Sequence, residues 1–377
     1  MNGGTSGQPG SASGKVRVAI LFGGQSDEHD VSLRSAETIM NVIDGDKYEV
    51  TPIGITREGR WLAGGDPMAQ LAASSPLFAM KDGETRDGYG TSSAVATVAG
   101  GDVVPSVFAG NADVVFPVLH GPCGEDGTVQ GMLELAGIPY VGAGVLGSAV
   151  AMDKAMTKTI LDQAGLPQAP WRLLFRRDWE REPGAVAEWI ADAVGYPCFV
   201  KPANMGSSVG ITKVHDPSEL ATGIGAAARL DRRIVIEQAV DCREFEVAVL
   251  GNDEPIASVA GEVVPCNEFY DYNAKYVDDR SELIIPADLE GKTMVQLQEL
   301  AVDAFRALDL SGMARVDFFL DRTNDHIYVN EVNTIPGFTS ISMYPRLWEA
   351  TGIPLAELVD RLIGLALERH TQKAQRP

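Results

Sequence analysis

The order of apolar and polar positions predicts an α/β beginning for this chain. The run Lys15–Phe22 alternates and then becomes continuously apolar, and Tyr48–Ile55 has the pattern of a second strand. Between them, from Val31 to Ile43, apolar residues recur at helical spacing along one face. A strand, a helix and a strand in this order predict a βαβ unit with parallel strands.

The length of the chain and later changes in periodicity predict three domains. At 377 residues the chain exceeds the size that one hydrophobic core normally serves. After the βαβ beginning, shorter strands and helices alternate in the manner of α+β units. We predict a disordered Gly/Ser-rich leader over 1–14, an N-terminal α/β domain over 15–146 with a variable insertion at about 63–110, a small central domain over 147–240, and a C-terminal domain over 241–377.

Two runs in the C-terminal domain predict a β-hairpin with one polar face. Met313–Leu320 and His326–Asn333 have the residue types of strands, and five polar residues separate them. Side chains in a strand alternate between the two faces of the sheet. The face that we expect to be buried carries Val316, Phe318, Leu320, Tyr328 and Val332.

The other face of this hairpin gathers charged side chains. A turn near Asn324 places Asp317 opposite Glu331, and Arg315 opposite Asn333. Like charges directly opposite each other destabilise a hairpin unless something compensates them. A hard divalent cation such as Mg²⁺, held by carboxylate oxygens and shared with phosphates, is the simplest compensation. The alternative is a solvated outer face, which is the common position of acidic residues.

Two further segments have the features of phosphate contacts. The loop Lys201–Gly210 is rich in small residues and lies between two predicted strands, so its backbone amides could surround phosphate oxygens while Lys201 adds charge. No Walker A pattern occurs in the chain. Lys154 opens a predicted helix, and helix N-termini favour anions. Taken singly, the loop is equally compatible with an ordinary hairpin turn, and Lys154 with a solvated helix lysine.

Four more residues are candidates because of where the predicted strands end. Glu28 and His120 follow strands whose carboxyl ends are the usual ligand-binding edge of an α/β sheet. Glu237 ends a strand where an acid could accept a hydrogen bond from a base or a sugar hydroxyl, and Glu244 lies seven residues later. By themselves the glutamates are more often surface acids, and the histidine is more often a packed imidazole.

Composition excludes several classes of function. The net charge of −21 argues against a nucleic-acid partner, because phosphate backbones require clustered Lys and Arg. The sequence contains no run of 18 or more apolar residues, which is the length that a membrane-spanning helix needs. The four cysteines are scattered without a CxxC pair, which favours a reduced, cytoplasmic protein, and the five dispersed histidines make a zinc site of the usual spacing unlikely.

Taken in order, these motifs resemble the D-alanine–D-alanine ligase family of the ATP-grasp superfamily. The resemblance extends from Lys15 to about Ala366. It implies an ATP-grasp fold preceded by an N-terminal domain with a parallel βαβ sheet. The motifs that carry it are Phe22-Gly23-Gly24-Gln25-Ser26-x-Glu28-x-x-Val31-Ser32, His120-Gly121-x-x-Gly124-Glu125-Asp126-Gly127, the Lys201–Gly210 loop, Tyr270-Asp271-Tyr272-x-x-Lys275-Tyr276, and Arg315-x-Asp317 through Glu331-x-Asn333-Thr334-x-Pro336-Gly337-Phe338-Thr339.

The resemblance implies a two-step ligation for peptidoglycan precursor synthesis. One D-alanine carboxylate attacks the γ-phosphate of ATP to give an acyl phosphate, which the amine of a second D-alanine then attacks. Two Mg²⁺ ions, with Mn²⁺ as a substitute, would be held by Asp317, Glu331 and Asn333. ATP would contact Lys154 and Lys201 through its phosphates, Glu237 through the adenine amino group, Glu244 through the ribose, and Phe319 through the adenine ring.

The resemblance also assigns residues to the two D-alanines. Arg315 and the amide of Gly337 would form the oxyanion hole, where negative charge develops on the attacked carbonyl. Glu28 would pair with the first substrate's ammonium group, and His120 would lie near its carboxylate. The carboxylate of the second substrate would be received by Ser342 and Lys275.

The segment 264–284 resembles the family's closing loop, which would shield the acyl phosphate from water. In the family the position of Tyr276 hydrogen-bonds to the equivalents of Glu28 and Ser207. Relatives that form depsipeptides differ at that tyrosine, so Tyr276 favours D-alanine over D-lactate as the second substrate. Met205 departs from the family, since many relatives carry a charged residue there.

The expected partners are therefore ATP and D-alanine, and the resemblance implies a homodimer. One alternative keeps the fold and changes the acceptor, giving a D-alanine–D-lactate or other D-amino-acid ligase. A more distant alternative is a non-catalytic nucleotide-binding regulator on the same scaffold. The presence of Arg315 argues against the regulator, because nucleotide binding alone needs no oxyanion donor.

Overall fold

The computed structural model describes residues 14–73, 75, 96–97, 112–264 and 282–375. Among these residues three β-sheets are surrounded by eleven helices. The strands are β1 Val16–Gly23, β2 Tyr48–Ile55, β3 Trp61–Ala63, β4 Ala96–Thr97, β5 Val114–Val118, β6 Trp171–Phe175, β7 Cys198–Pro202, β8 Thr212–Val214, β9 Arg233–Gln238, β10 Cys242–Gly251, β11 Ile256–Val264, β12 Glu282–Ile284, β13 Gly312–Asp321 and β14 Ile327–Asn333.

The helices flank these sheets. They are α1 His29–Val42, α2 Pro67–Ala72, α3 Thr128–Ala136, α4 Val145–Met152, α5 Lys154–Gln163, α6 Arg176–Arg181, α7 Pro183–Ala193, α8 Leu220–Ala228, α9 Gly291–Ala307, α10 Met343–Thr351 and α11 Leu355–Ala374. In the described part of the chain, no helix is both long and apolar enough to cross a membrane.

The N-terminal sheet has the order β4-β3-β2-β1-β5. The pairs β1–β2 and β1–β5 are parallel, so the predicted βαβ beginning is confirmed. Strands β3 and β4 add to the β2 edge in antiparallel fashion. Residues 1–13 of the predicted leader and most of the predicted insertion at about 63–110 lie outside the described residues.

Two antiparallel sheets form the rest of the molecule. The smaller has the order β6-β9-β7-β8, and the larger has the order β12-β11-β10-β13-β14. In the larger sheet β10 is central, and β13 lies between β10 and the edge strand β14. The nucleotide candidates are therefore divided between the two sheets: Lys201 and Glu237 lie in the smaller one, whereas Glu244 and Phe319 lie in the larger one with the metal candidates.

One hydrophobic core connects the two ends of the chain. Buried residues of β1, α1 and β5 share a cluster with buried residues of α10 and α11. The Arg369 guanidinium in α11 reinforces this connection, because it donates to the carbonyls of Gly142 and Tyr140 and lies 4.4 Å from the Tyr140 ring centroid. The C-terminal helices thus hold the N-terminal sheet beside the larger antiparallel sheet.

The β13–β14 hairpin has the predicted register at its polar end but not along its whole length. Asp317 pairs with Glu331, whereas Phe318 pairs with Val329, which leaves Asn330 as an extra residue. This bulge reverses the phase of β14. The prediction that Tyr328 lies on the buried face is therefore wrong: Tyr328 lies opposite Phe319 and is half-buried, and Val329 takes the core position.

Candidate active site

Two neighbouring clefts collect nearly all of the predicted site residues that the structure describes. The first cleft, between the N-terminal sheet and the hairpin, is lined by Glu28, His120, Lys154, Ser207, Arg315, Glu331, Asn333, Gly337 and Ser342. The second, between the two antiparallel sheets, is lined by Lys201, Glu244, Asp317, Phe319 and Glu331. Glu331 borders both clefts, so this part of the hairpin lies between them.

The polar end of the hairpin has the cross-strand arrangement predicted from the sequence. Arg315 pairs with Asn333, and Asp317 pairs with Glu331. The Arg315 side chain donates to both carboxylate oxygens of Asp317 at 2.7 Å, and its Nε also lies 3.0 Å from Oε2 of Glu246 on β10. Asn333 Nδ2 donates to Asp317 at 3.2 Å. Although burial opposes the charge, these carboxylates outweigh it and raise the pKa of Arg315, so the guanidinium stays charged.

The donor set of the hairpin fits a hard cation shared with phosphates. Asp317, Glu331 and Asn333 offer carboxylate and amide oxygens on one face of paired strands. In the described chain no group of three or more His, Cys, Asp or Glu side chains could hold a metal ion without further ligands. Mg²⁺ commonly binds through one or two carboxylates and takes its other ligands from water and phosphates. The residues present match that mode and not an all-protein cage.

A buried ion cluster lies behind the second cleft. The two oxygens of Glu237 accept from Lys158 at 2.7 Å and from Lys201 at 2.6 Å. The side chains of Glu237 and Lys158 are only 1% and 2% exposed. Although burial opposes ionisation, the two ammonium groups lower the pKa of Glu237 to about 2. Glu237 faces the lysines and lines neither cleft, so its contact with an adenine amino group stays a prediction.

Lys154 contacts the small-residue loop. Lys154 is the first residue of α5, and its Nζ donates to the carbonyl of Met205 at 2.5 Å. Asp153 caps the helix by accepting from the Met156 amide. Within the loop, Ser207 and Ser208 have positive φ angles of 50° and 59°. Among the described residues the buried Ser207 hydroxyl has no hydrogen-bond partner.

Glu28 and His120 lie together at the carboxyl end of the N-terminal sheet. Glu28 Oε2 is so close to Gly121 and Gly206 that an added Cβ would approach it to 3.0 Å and 3.4 Å. His120 Nδ1 lies 2.8 Å from the carbonyl of Ile335 and must donate to it, because a carbonyl only accepts. Burial lowers the pKa of His120, whereas the charge of Glu28 opposes this shift. Since Nδ1 carries the one proton of the neutral ring, Nε2 can donate a hydrogen bond to a carboxylate only after the ring takes up a second proton.

The loop after β14 brings Gly337 against Ser342. A Cβ on Gly337 would lie 2.7 Å from the Ser342 hydroxyl, so any side chain there would displace it. That hydroxyl accepts from the Thr339 amide at 2.9 Å, immediately before α10 begins. Gly337, the predicted oxyanion donor, and Ser342, a predicted contact of the second substrate, are therefore neighbours. Two further predicted site residues, Tyr276 and Lys275, lie outside the described residues, as does most of the predicted lid 264–284.

Comparisons with known proteins identify the family. A family model described as the D-ala D-ala ligase N-terminus matches residues 17–143, and one described as the D-ala D-ala ligase C-terminus matches residues 160–364. The D-alanine–D-alanine ligase of Ruminiclostridium cellulolyticum is 50% identical over 367 residues, covering 94% of this chain and 96% of the relative. That of Geobacillus thermodenitrificans is 49% identical, covering 95% and 97%.

Solved structures give the same result. The D-alanine–D-alanine ligase from Coxiella burnetii is 40% identical with a TM-score of 0.79 and covers 96% of both chains. The VanG D-Ala:D-Ser ligase from Enterococcus faecalis is 35% identical, also with a TM-score of 0.79, covering 93% of this chain and 99% of that one. The chain belongs to the D-alanine–D-alanine ligase family.

Family membership confirms the predicted fold class and activity. The chain is an ATP-grasp enzyme that joins D-alanine to D-alanine for peptidoglycan synthesis, using ATP and a divalent metal. Three charged residues near the site had no predicted role: Lys158, Glu125 and Glu246. Glu125 lies inside a quoted motif and could have been singled out on that basis. Lys158 has the ordinary sequence context of a solvated helix lysine, so no local signal distinguishes it.

Proposed function

We propose that the hairpin serves both half-reactions of D-alanyl-D-alanine synthesis. The main support is that Arg315 and Asp317 share one strand face and directly contact each other, while Arg315 borders the first cleft and Asp317 borders the second. In the cleft between the antiparallel sheets, Lys201, Glu244 and Phe319 would bind ATP, and Lys154 would meet its phosphates from the helix N-terminus. Glu237 would contact the adenine amino group, and it also fixes the Lys201 ammonium.

In the first step the carboxylate of one D-alanine attacks the γ-phosphate. Glu28 holds the substrate's ammonium group, and His120, once protonated, contacts its carboxylate. Mg²⁺ is the divalent ion that this oxygen donor set suits best, with Mn²⁺ as a substitute; when bound, it would neutralise charge on the phosphate oxygens. Asp317, Glu331 and Asn333 would hold two such ions.

In the second step the amine of another D-alanine attacks the acyl phosphate. Arg315 and the Gly337 amide donate to the oxygen that becomes negative, and inorganic phosphate leaves. Ser342 and Lys275 receive the acceptor's carboxylate. Segment 264–284 closes over the site, and Tyr276 joins Glu28 and Ser207 in selecting the acceptor. We further propose a homodimer in the cytoplasm, with the domain limits predicted from the sequence.

The identity of the acceptor, the second substrate, is the most specific part of this proposal. D-Lactate and D-serine are the competing acceptors, and the resemblance to a D-Ala:D-Ser ligase structure makes the second a specific alternative. The test is product analysis with ATP, D-alanine and equal concentrations of D-lactate and D-serine. D-Alanyl-D-alanine as the main product supports the proposal, and a mixed dipeptide or depsipeptide as the main product contradicts it. Absence of any product would contradict the proposal as well.

A further inference from the structure

Both backbone groups of Ile335 are held by side chains from the N-terminal domain. The Ile335 N–H donates to Oε1 of Glu125 at 3.1 Å, and its carbonyl accepts from Nδ1 of His120 at 2.8 Å. The other oxygen of Glu125, Oε2, accepts from the Gly121 amide at 2.7 Å. One carboxyl group therefore joins the loop that carries His120 to the loop that follows β14.

The loop after β14 carries the proposed oxyanion donor. Ile335 precedes Gly337 by two residues, and Phe338 beyond it is anchored by a hydrogen bond from its amide to Ser35 at 3.0 Å. Gly337 thus lies between two points where the N-terminal domain fixes the backbone. Donors to a developing oxyanion must be placed before the reaction, because small displacements cost large factors in rate.

We propose that Glu125 is a positioning residue for the oxyanion hole, acting through the Ile335 amide. The proposal rests on the function proposed above for Gly337. The described hydrogen bonds of Glu125 come from Ile335 and Gly121 and not from the predicted ATP residues, so we assign its effect to the capture of the acyl phosphate by the second D-alanine. Its neighbour across the first cleft is Arg315, the other proposed oxyanion donor.

The chemistry of the bridge requires two oxygen acceptors. Burial and the charge of Glu28 raise the pKa of Glu125 to about 8. A carboxylate and a carboxyl group both present two oxygens to the two N–H donors, so the bridge survives either state. An amide presents one oxygen and turns an NH₂ group towards the other N–H donor. Glu125→Gln therefore breaks the bridge with almost no change of shape.

The next residue supplies a matched control. Asp126 also accepts from two backbone amides, those of Cys123 at 2.8 Å and Thr128 at 3.0 Å. Both of these donors belong to the same stretch of chain as Asp126, so this carboxylate bridges nothing between domains. Asp126→Asn therefore perturbs the loop in the same chemical way and leaves the Ile335 amide in place.

The experiment measures phosphate release and dipeptide formation together, with ATP, Mg²⁺ and saturating D-alanine. The wild type is expected to give one phosphate per dipeptide. Glu125→Gln is expected to lower kcat about tenfold or more, with an unchanged KM for ATP. It is also expected to raise the phosphate-to-dipeptide ratio above one, because acyl phosphate that is not captured is lost to water. Asp126→Asn is expected to keep the ratio at one.

The remaining outcomes distinguish a positioning role of Glu125 from a purely structural one. A ratio of one in Glu125→Gln, with a loss of kcat no larger than in Asp126→Asn, overturns the inference, and so does an equal rise of the ratio in both variants. If Glu125→Gln does not fold, Glu125→Asp is used, whose shorter side chain cannot reach both donors. A ratio of one in folded Glu125→Asp also overturns the inference. If the wild type forms no dipeptide, it is the proposed function that fails.

Discussion

Two clusters of charged residues, each centred on an antiparallel sheet, differ in the sign of their excess charge. Behind the second cleft, two lysines surround one glutamate, and the glutamate and one lysine are 1% and 2% exposed. On the hairpin, one arginine faces the carboxylates of Glu246 and Asp317, with Glu331 opposite Asp317 in the next strand. The first cluster has an excess of positive charge, and the second has an excess of negative charge.

The difference indicates what each cluster is suited to bind. A positive excess beside a small-residue loop attracts phosphate oxygens, whereas a negative excess of hard oxygen donors attracts a divalent cation. A nucleotide triphosphate with its metal carries both complementary charges. In the proposed function the two clusters would be opposite halves of one binding site, and each half can be disturbed separately.

The largest effect is expected from Glu237→Gln. The change leaves the Lys158 and Lys201 ammonium groups buried without a counter-charge, which typically costs about 3–5 kcal/mol when a buried pair is broken. We expect the free energy of unfolding to fall by that order in denaturant titrations. The matched control is Glu134→Gln, which breaks a partly exposed pair with Lys373 and should cost about 1 kcal/mol or less. Equal losses would contradict the comparison.

The next effect is on catalysis and comes from Arg315→Lys. Lysine keeps the charge but loses the planar two-donor geometry that now engages Asp317. Removing an oxyanion donor typically costs about 10²–10³ in kcat, and we expect a loss in that range with folding preserved. Arg243→Lys is the control, because Arg243 makes the same bidentate contact, at 2.7 Å, to Glu262 away from the proposed oxyanion hole. A similar loss of kcat in both variants would show a structural effect only.

The pH dependence of stability distinguishes Glu237, whose charge is compensated by lysines, from Glu125, whose charge is not. Glu237 has its pKa lowered to about 2 by lysines, whereas Glu125 has its pKa raised from 4.5 to about 8. Because the folded state holds the Glu125 proton more tightly, its ionisation destabilises the fold progressively as pH rises from about 5 to 8. Thermal denaturation should show the wild type losing stability relative to Glu125→Gln over this range. A constant difference would contradict the raised pKa.

The smallest effect is expected at an exposed pair. Lys47 lies 3.1 Å from Asp360, and their side chains are 57% and 37% exposed. We expect Lys47→Met to change the free energy of unfolding by about 0.2–1 kcal/mol and to leave kcat unchanged. A loss as large as that of Glu237→Gln would mean that burial does not distinguish the ion pairs of this protein.

The sequence was most informative where a single rule of geometry applies. The opposition of Asp317 and Glu331 follows from strand alternation and a turn near Asn324, and the structure confirms it. The same rule failed for Tyr328, because the bulge at Asn330 reverses the phase and leaves no distinct sequence signal.

Contacts between distant segments were the part that could not be predicted. Lys158 and Glu237 are 79 residues apart, and Glu125 and Ile335 are 210 apart, so only the packing of domains brings them together. The roles of the site residues themselves came from the motifs that resemble the family, and those roles stay predictions until they are measured.

The central claim is that the hairpin carboxylates hold the divalent metal on which phosphate transfer depends. The most direct test is phosphate release with ATP and D-alanine as a function of Mg²⁺ concentration, for the wild type and for Asp317→Asn, together with ATP binding to both. We predict turnover by the wild type, and an Asp317→Asn variant that binds ATP but releases little phosphate or needs far more Mg²⁺. An unchanged rate and an unchanged Mg²⁺ dependence in Asp317→Asn would contradict the claim.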